Sequence, residues 1–379
     1  MVDDAIALTS KLIERKSISP YDAGCQQLIM SQLIPFGFTL EEMHFGDTHN
    51  LWAYHGSASA PTLIFSGHTD VVSPGDETQW HYPPFKPIIN NQGNLYGRGA
   101  ADMKSSLAAM ICATKEYITQ NPKHAGRIGF LITSDEEATG KYGTSKVVQE
   151  LKRRNERIDF CIIGEPTSKT QLGDQIKNGR RGSLIANLTI HGKQGHIAYP
   201  HLAINPIHSF ASAFNELLSV KWDNGNDHFP ETTMQIVNIH GGTGAENVIP
   251  GELKIQFGFR YSSELTDEII KKRVTEILSK HKLTYQLHWH LSGKPFLTKP
   301  GILTQAVSQA VFDVIQINTV LSTSGGTSDG RFINELGCQV VEIGPINATI
   351  HQINEHISIK DILLLKQIYK RILEKVISK

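Results

Sequence analysis

Charge of one sign is what this sequence most plainly lacks. Lys+Arg and Asp+Glu both number 37, so the formal net charge is zero. No basic field of the kind that gathers nucleic acid can arise from that balance, and no nucleic-acid partner is expected. Cysteine is scarce: Cys25, Cys112, Cys161 and Cys338 lie far apart and never form a C-x-x-C pair. This spacing argues against a disulfide framework and against a thiolate zinc site. Cys112 and Cys161 fall inside apolar runs, where a small buried hydrophobe is the natural role. No apolar run reaches membrane-spanning length, so no membrane partner is expected. Asp3 and Asp4 stand where a signal peptide carries positive charge, and no long apolar stretch follows; the expectation is a cytoplasmic enzyme.

Nucleotide-binding motifs are missing too. The Gly97-x-Gly99 pair lacks the third glycine of a dinucleotide fingerprint, because Asp102 occupies that position. There is no G-x-x-x-x-G-K-[ST] and no H-E-x-x-H. The Ser-Gly-Gly-Thr-Ser stretch at 324–328 follows no clear strand and reads as a glycine-rich substrate loop.

What remains is a soluble composition, 40% apolar and 20% charged, on 379 residues. That length implies two domains. In the first 180 residues, short apolar runs alternate with amphipathic stretches. Runs at 62–65, 128–133 and 160–163 read as strands, and 104–119 carries Leu107, Met110, Ile111 and Thr114 at helical spacing. This pattern predicts an α/β sheet with helices on its faces. The middle of the chain reads as strand 183–191, helix 205–218, strands 233–240 and 253–261, helix 264–281 and strand 283–291. That βαββαβ order is the order of a ferredoxin-like unit. The α/β pattern resumes with a strand at 339–343 and a helix at 359–377. The expected division is therefore a mixed-sheet domain of residues 1–180 and 293–379, interrupted by an α+β domain of residues 181–292.

The acids and histidines fall at informative places. Three apolar runs end in His68-Thr69-Asp70, Asp135-Glu136-Glu137 and Glu165. In open α/β sheets, ligands bind beyond the carboxyl ends of the strands. Asp102 lies just before a helix, and His351 follows the strand near residue 340. Each piece alone is an ordinary turn or a solvated face; together they place two imidazoles and several carboxylates around one spot. Such like charges need a counter-charge. One or two divalent cations would supply it: Zn²⁺ suits mixed His and carboxylate ligands, with Mn²⁺ or Co²⁺ as alternatives.

The segments Ser66-Gly-His-Thr-Asp-Val-Val, Trp80-His-Tyr-Pro-Pro-Phe, Gly97-Arg-Gly-Ala-Ala-Asp-Met-Lys, Thr133-Ser-Asp-Glu-Glu-Ala and Gly164-Glu-Pro-Thr resemble those of the M20 metallopeptidase family. So do Lys177-Asn-Gly-Arg-Arg-Gly-Ser, Gly195-His-Ile-Ala-Tyr-Pro-His, Asn247-Val-Ile-Pro, Ser322-Thr-Ser-Gly-Gly-Thr-Ser-Asp-Gly-Arg and Ala348-Thr-Ile-His. The likeness runs nearly end to end. The Trp80, Gly179 and Ser322 segments resemble those of the branch of that family that removes succinate from N-succinyl-LL-2,6-diaminopimelate.

The resemblance implies a zinc-exopeptidase-like catalytic domain carrying an inserted dimerisation domain, and two Zn²⁺ per subunit, with Co²⁺ or Mn²⁺ as substitutes. His68, Asp102 and Glu165 would hold one cation, and Asp102 would bridge to a second held by Glu137 and His351. Asp70 would accept a hydrogen bond from His68, and Glu136 would be the general base. His196 and Asn247 would reach the partner subunit's active site, which implies a homodimer. Arg180, Ser183, Arg260, Thr327 and Asn347 would contact the substrate's carboxylates. Two positions depart from the family's common pattern: Glu246 stands where many relatives carry asparagine, and Ser73 where proline is common. Another M20 amidase, such as an acetylornithine deacetylase or a dipeptidase, is the near alternative. A non-catalytic dimeric metal-binding protein is the distant one, and the presence of Glu136 weighs against it.

Overall fold

The computed structural model describes residues 3–377, which form two compact units. The first comprises residues up to Gly179 together with Leu297–Ser322 and Ser328 onward; the second comprises Arg180–Phe296 and Thr323–Thr327.

The first unit is built on a mixed sheet of eight strands. In spatial order they are Thr39–Phe45, Thr48–Gly56, Arg127–Thr133, Thr62–His68, Phe160–Ile163, Gln339–Glu342, Gln175–Lys177 and Val320–Ser322. The four central strands run parallel, from Arg127–Thr133 across to Gln339–Glu342. Thr62–His68 and Arg127–Thr133 are buried along their whole length, as expected of parallel strands covered on both faces. The covering helices include Ser105–Gln120 and Ile359–Val376, which pack on one another. The latter starts where the Ser358 hydroxyl accepts the Lys360 amide, and it buries Ile362, Leu365, Ile368, Tyr369, Ile372 and Leu373, a stripe at helical period. The Tyr369 hydroxyl satisfies itself on the Ile343 carbonyl at 2.7 Å.

The Thr62–His68 strand is longer than the apolar run suggests. Ser66, Gly67 and His68 stay in register with Leu131, Ile132 and Thr133. His68 is therefore the last residue of a central strand rather than part of a turn.

The second unit is an antiparallel four-stranded sheet, ordered Thr233–Gly241, Glu252–Tyr261, Gly182–His191, Tyr285–Gly293. With helices Pro206–Ser219 and Asp267–Lys280 it has the βαββαβ order of a ferredoxin-like unit. Alternate residues of the two central strands point into a core of Leu184, Ala186, Leu188, Ile255, Phe257 and Phe259. The first helix is opened by Asn205, whose side chain accepts the Ile207 and His208 amides, with Pro206 following. The second begins at Asp267 rather than Glu264, because Thr266 caps it through the Ile269 amide. Among the described residues, no helix is long and apolar enough to cross a membrane.

Candidate metal centre

Because the central strands are parallel, their carboxyl ends lie along one edge of the sheet. Neighbouring strands deliver His68, the Asp135–Glu137 segment and Glu165 to that edge. Asp102 arrives on the segment before helix Ser105–Gln120, and His351 on the loop after strand Gln339–Glu342. The fit at the strand ends is close. A Cβ on Gly67 would sit 2.2 Å from the Met103 methyl, and one on Gly164 would sit 2.7 Å from it. Met103 occupies this space next to both His68 and Glu165, so larger residues at 67 and 164 would push the ligand-bearing ends apart. The Asp102–Met103 peptide bond is cis.

The side chains form two triads that share one carboxylate. His68 Nε2 lies 3.3 Å from Asp102 Oδ1 and 3.7 Å from Glu165 Oε1. His351 Nε2 lies 3.2 Å from Asp102 Oδ2 and 2.9 Å from Glu137 Oε1. Within each triad the potential ligand atoms all lie within 4.8 Å of one another. His68 and Asp102 are buried, while His351 is half exposed and leaves the group open to solvent on one side. The His351 backbone is left-handed, with φ of 61°, a conformation uncommon outside glycine and concentrated at functional sites.

The charge state tests whether a cation fits. Burial alone would lower the His68 pKa, but Asp102, Asp70 and Glu165 together hold it well above its ordinary value. His351 is pushed up to about 10 by its hydrogen bonds to Asp102 and Glu137. Burial, reinforced by Asp102 and Glu136, forces Glu165 well above the carboxylate range. Protons are thus taking up negative charge that a cation would neutralise. His68 Nδ1 donates to the Asp70 carbonyl oxygen at 2.9 Å, which points Nε2 toward Asp102 and Glu165. That Nε2 and Asp102 Oδ1 are buried and lack hydrogen-bond partners. A donor set of imidazole and carboxylate, with unsatisfied buried ligand atoms, fits a pair of divalent cations.

Asp70 acts differently from the expectation. Its main-chain carbonyl, not its carboxylate, receives the His68 N–H; Oδ1 stands 3.6 Å from Nδ1. The carboxylate instead accepts the Glu136 amide at 3.3 Å and the Glu137 amide at 3.1 Å, along with the Ser19 hydroxyl. Asp70 therefore orients the segment that carries both Glu136 and Glu137. Glu136 is partly buried. Burial and the nearby charge of Asp329 raise its pKa to about 8 without a cation.

The remaining candidates fall elsewhere. Asn347 lies at the start of the loop that leads to His351, with its amide on the Ser168 carbonyl at 2.9 Å. In the second unit, Arg260 Nη1 donates to Ser183 Oγ at 2.7 Å, and Arg180 Nη1 reaches the Gly326 carbonyl at 3.3 Å, one residue from Thr327. Burial and the charge of Arg260 lower the pKa of Arg181, so a third guanidinium, not anticipated from sequence, shares this region. His196 and Asn247 are neighbours: His196 pairs with Val248, and the Ile197 amide donates to the Asn247 carbonyl at 3.0 Å. Both are exposed, as is Glu246. Sequence reasoning also passed over Glu355, a fully buried carboxylate four residues after His351. Its one signal was an acid in the His-x-x-Asn-Glu segment that also carries His351.

An α/β sheet with this cluster at its carboxyl edge defines a metal-dependent hydrolase of the metallopeptidase type. The chain belongs to the peptidase family M20/M25/M40, whose model matches residues 64–375. Among solved structures it is similar to a tripeptidase from Staphylococcus aureus, at 23% identity and a TM-score of 0.80 over 98% of each chain. It is similar to an M20 family metallo-carboxypeptidase from Sulfolobus solfataricus, at 18% identity and a TM-score of 0.82 over 99% of each. A third likeness, to a dinuclear metal-binding M20 peptidase from Bacillus subtilis, has 16% identity and a TM-score of 0.73, covering 98% of this chain and 97% of that one.

Proposed function

We propose that this chain is a di-zinc amide hydrolase that cleaves N-succinyl-LL-2,6-diaminopimelate to succinate and LL-2,6-diaminopimelate, a succinyl-diaminopimelate desuccinylase of lysine and cell-wall biosynthesis. The observation that carries the chemistry is the pair of triads sharing Asp102. His68, Asp102 and Glu165 would hold one cation; Asp102, Glu137 and His351 would hold the other. Zn²⁺ is favoured by the ligand set, and Co²⁺ or Mn²⁺ could substitute. Bound there, such cations lower the pKa of water from 15.7 toward roughly 7 and polarise a carbonyl.

The protein's own groups do the rest. Glu136, held by its amide on Asp70, takes a proton from the attacking water and delivers it to the departing amine nitrogen. A neighbouring cation stabilises its ionised form, as a base requires. His196 of the second subunit donates a hydrogen bond to the oxygen on which negative charge develops. Arg180 and Arg260, with Ser183, Thr327, Asn247 and Asn347, receive the carboxylates of the substrate, for which guanidinium forks are suited.

The substrate assignment is supported by the Trp80, Gly179 and Ser322 segments and by the guanidinium groups of the second unit. The names of the tripeptidase and carboxypeptidase relatives favour a second reading, a peptidase acting on short peptides. Assay of the succinylated substrate beside acetylornithine and a series of di- and tripeptides separates the two. Preference for the succinylated compound is expected; preference for acetylornithine or a peptide would refute the assignment.

The proposal includes a homodimer. Strand Thr233–Gly241 is an edge of its sheet, and Val237 and Ile239 on it are 54% and 53% exposed. Unprotected edges of this kind pair readily with a second chain. The proposed compartment is the cytoplasm, consistent with four cysteines that are all free and buried.

A further inference from the structure

We propose that Glu355 is a positioning residue that presets the shared carboxylate of Asp102 before any cation arrives. The inference rests on the two-cation reading above and extends it to a side chain outside the ligand set. Glu355 is fully buried, and both of its oxygens are used. Oε2 accepts Arg98 Nη1 at 2.8 Å and the Gly99 amide at 3.0 Å. Oε1 accepts the Ala101 amide at 2.8 Å and the amide of Asp102 itself at 3.0 Å. The Glu355 carbonyl accepts the Gly97 amide at 3.0 Å. Almost the whole turn from 97 to 102 thus hangs on one residue.

A buried carboxylate is costly unless it is paired and hydrogen-bonded. Here three amides and a guanidinium supply the donors. Arg98 also neutralises the charge, so the clamp adds no net negative charge to an already acidic cluster. Arg98 extends the fixture to the segment that follows His68: its Nη2 reaches the Ser73 carbonyl at 3.3 Å, and its guanidinium lies 5.1 Å from the Trp80 ring. The Asn354 side chain accepts the His81 amide at 2.6 Å, which holds the His351 loop to the same segment. Segments adjoining three of the ligands (His68, Asp102 and His351) are joined through Glu355, Arg98 and Asn354. Outer contacts of this kind fix ligand orientation, and losing one typically weakens metal binding by about 10–100-fold.

The test is zinc and cobalt titration of chelator-stripped wild type and Glu355→Gln, with the visible absorption of the cobalt forms recorded. The glutamine variant keeps the shape but turns an acceptor into a donor facing amides. Wild type is expected to take two cations; if it does not, the metal-centre reading itself fails. The variant should bind about 10–100-fold more weakly, with an altered cobalt spectrum and lowered kcat at unchanged KM. Wild-type affinity and an unchanged spectrum in the variant would overturn the proposal while leaving the metal centre intact. Should the variant not fold, hydrogen exchange on stripped wild type decides. The amides of Gly99, Ala101 and Asp102 should stay protected without metal, and free exchange there would overturn the proposal.

Discussion

Single side chains carry most of the chemistry proposed for this enzyme, and Glu136 is the most exposed to test. Glu136→Gln keeps shape and hydrogen-bonding capacity but cannot accept the proton from water. Turnover should fall by about 10²–10⁴, while metal content, measured by atomic absorption, stays at the wild-type level. Undiminished turnover would remove Glu136 from the role of base. A second residue-scale expectation concerns packing. Gly67→Ala would place a methyl 2.2 Å from the end of Met103, whose methyl also approaches the Gly164 position. Chemical denaturation should show a loss of about 1–3 kcal/mol. A neutral result would mean that Met103 has room to withdraw.

Parallel strands with a shared carboxyl edge convert a one-dimensional spacing into a site, and this is why much of the centre was legible. His68, Glu137 and Glu165 could be placed together because each terminates an apolar run and such ends align. Asp70 and Glu355 were not legible in the same way. Asp70 was identified, but whether its carbonyl or its carboxylate meets His68 depends on side-chain rotation, which no spacing encodes. Glu355 acts through backbone amides 253 to 256 residues distant in sequence, and an acid in a loop carries no periodic signal. Caps were equally hidden: Thr266 moves the start of its helix to Asp267, although charged residues begin earlier.

Stability of the second unit should depend on pH through Asp223. Asp223 ties the segment after helix Pro206–Ser219 to the sheet. Burial alone would raise its pKa, but donation from the Thr232 hydroxyl and amide, the Ser262 hydroxyl and the Gly225 amide outweighs burial and lowers it. A carboxylate with a depressed folded-state pKa stabilises above its unfolded value, near 3.8, and loses that contribution as pH falls through the folded value. Asp223→Asn should therefore be less stable than wild type at pH 7, by ~1 kcal/mol or less given its partial exposure. The difference should close as pH falls through the folded value; a gap that persists in acid would contradict this account of Asp223.

For the molecule as a whole, two compact units with separate cores divide the labour proposed here: one holds the cations, and the other supplies the arginines and an apolar sheet edge. The dimer can be tested without reference to catalysis. Ile239→Lys places a charge on the exposed edge strand, a standard means of blocking edge pairing. Sedimentation should show wild type as a dimer and the variant shifted toward monomer. A monomeric wild type would remove His196 and Asn247 from the neighbouring active site.

The central claim is that His68, Asp102, Glu137, Glu165 and His351 hold two cations. Anomalous diffraction from zinc-loaded crystals at the zinc absorption edge tests it most directly. Two peaks are expected on either side of the Asp102 carboxylate, one bounded by His68 and Glu165 and the other by Glu137 and His351. Crystals of fully active enzyme with no peak at Asp102 would contradict it.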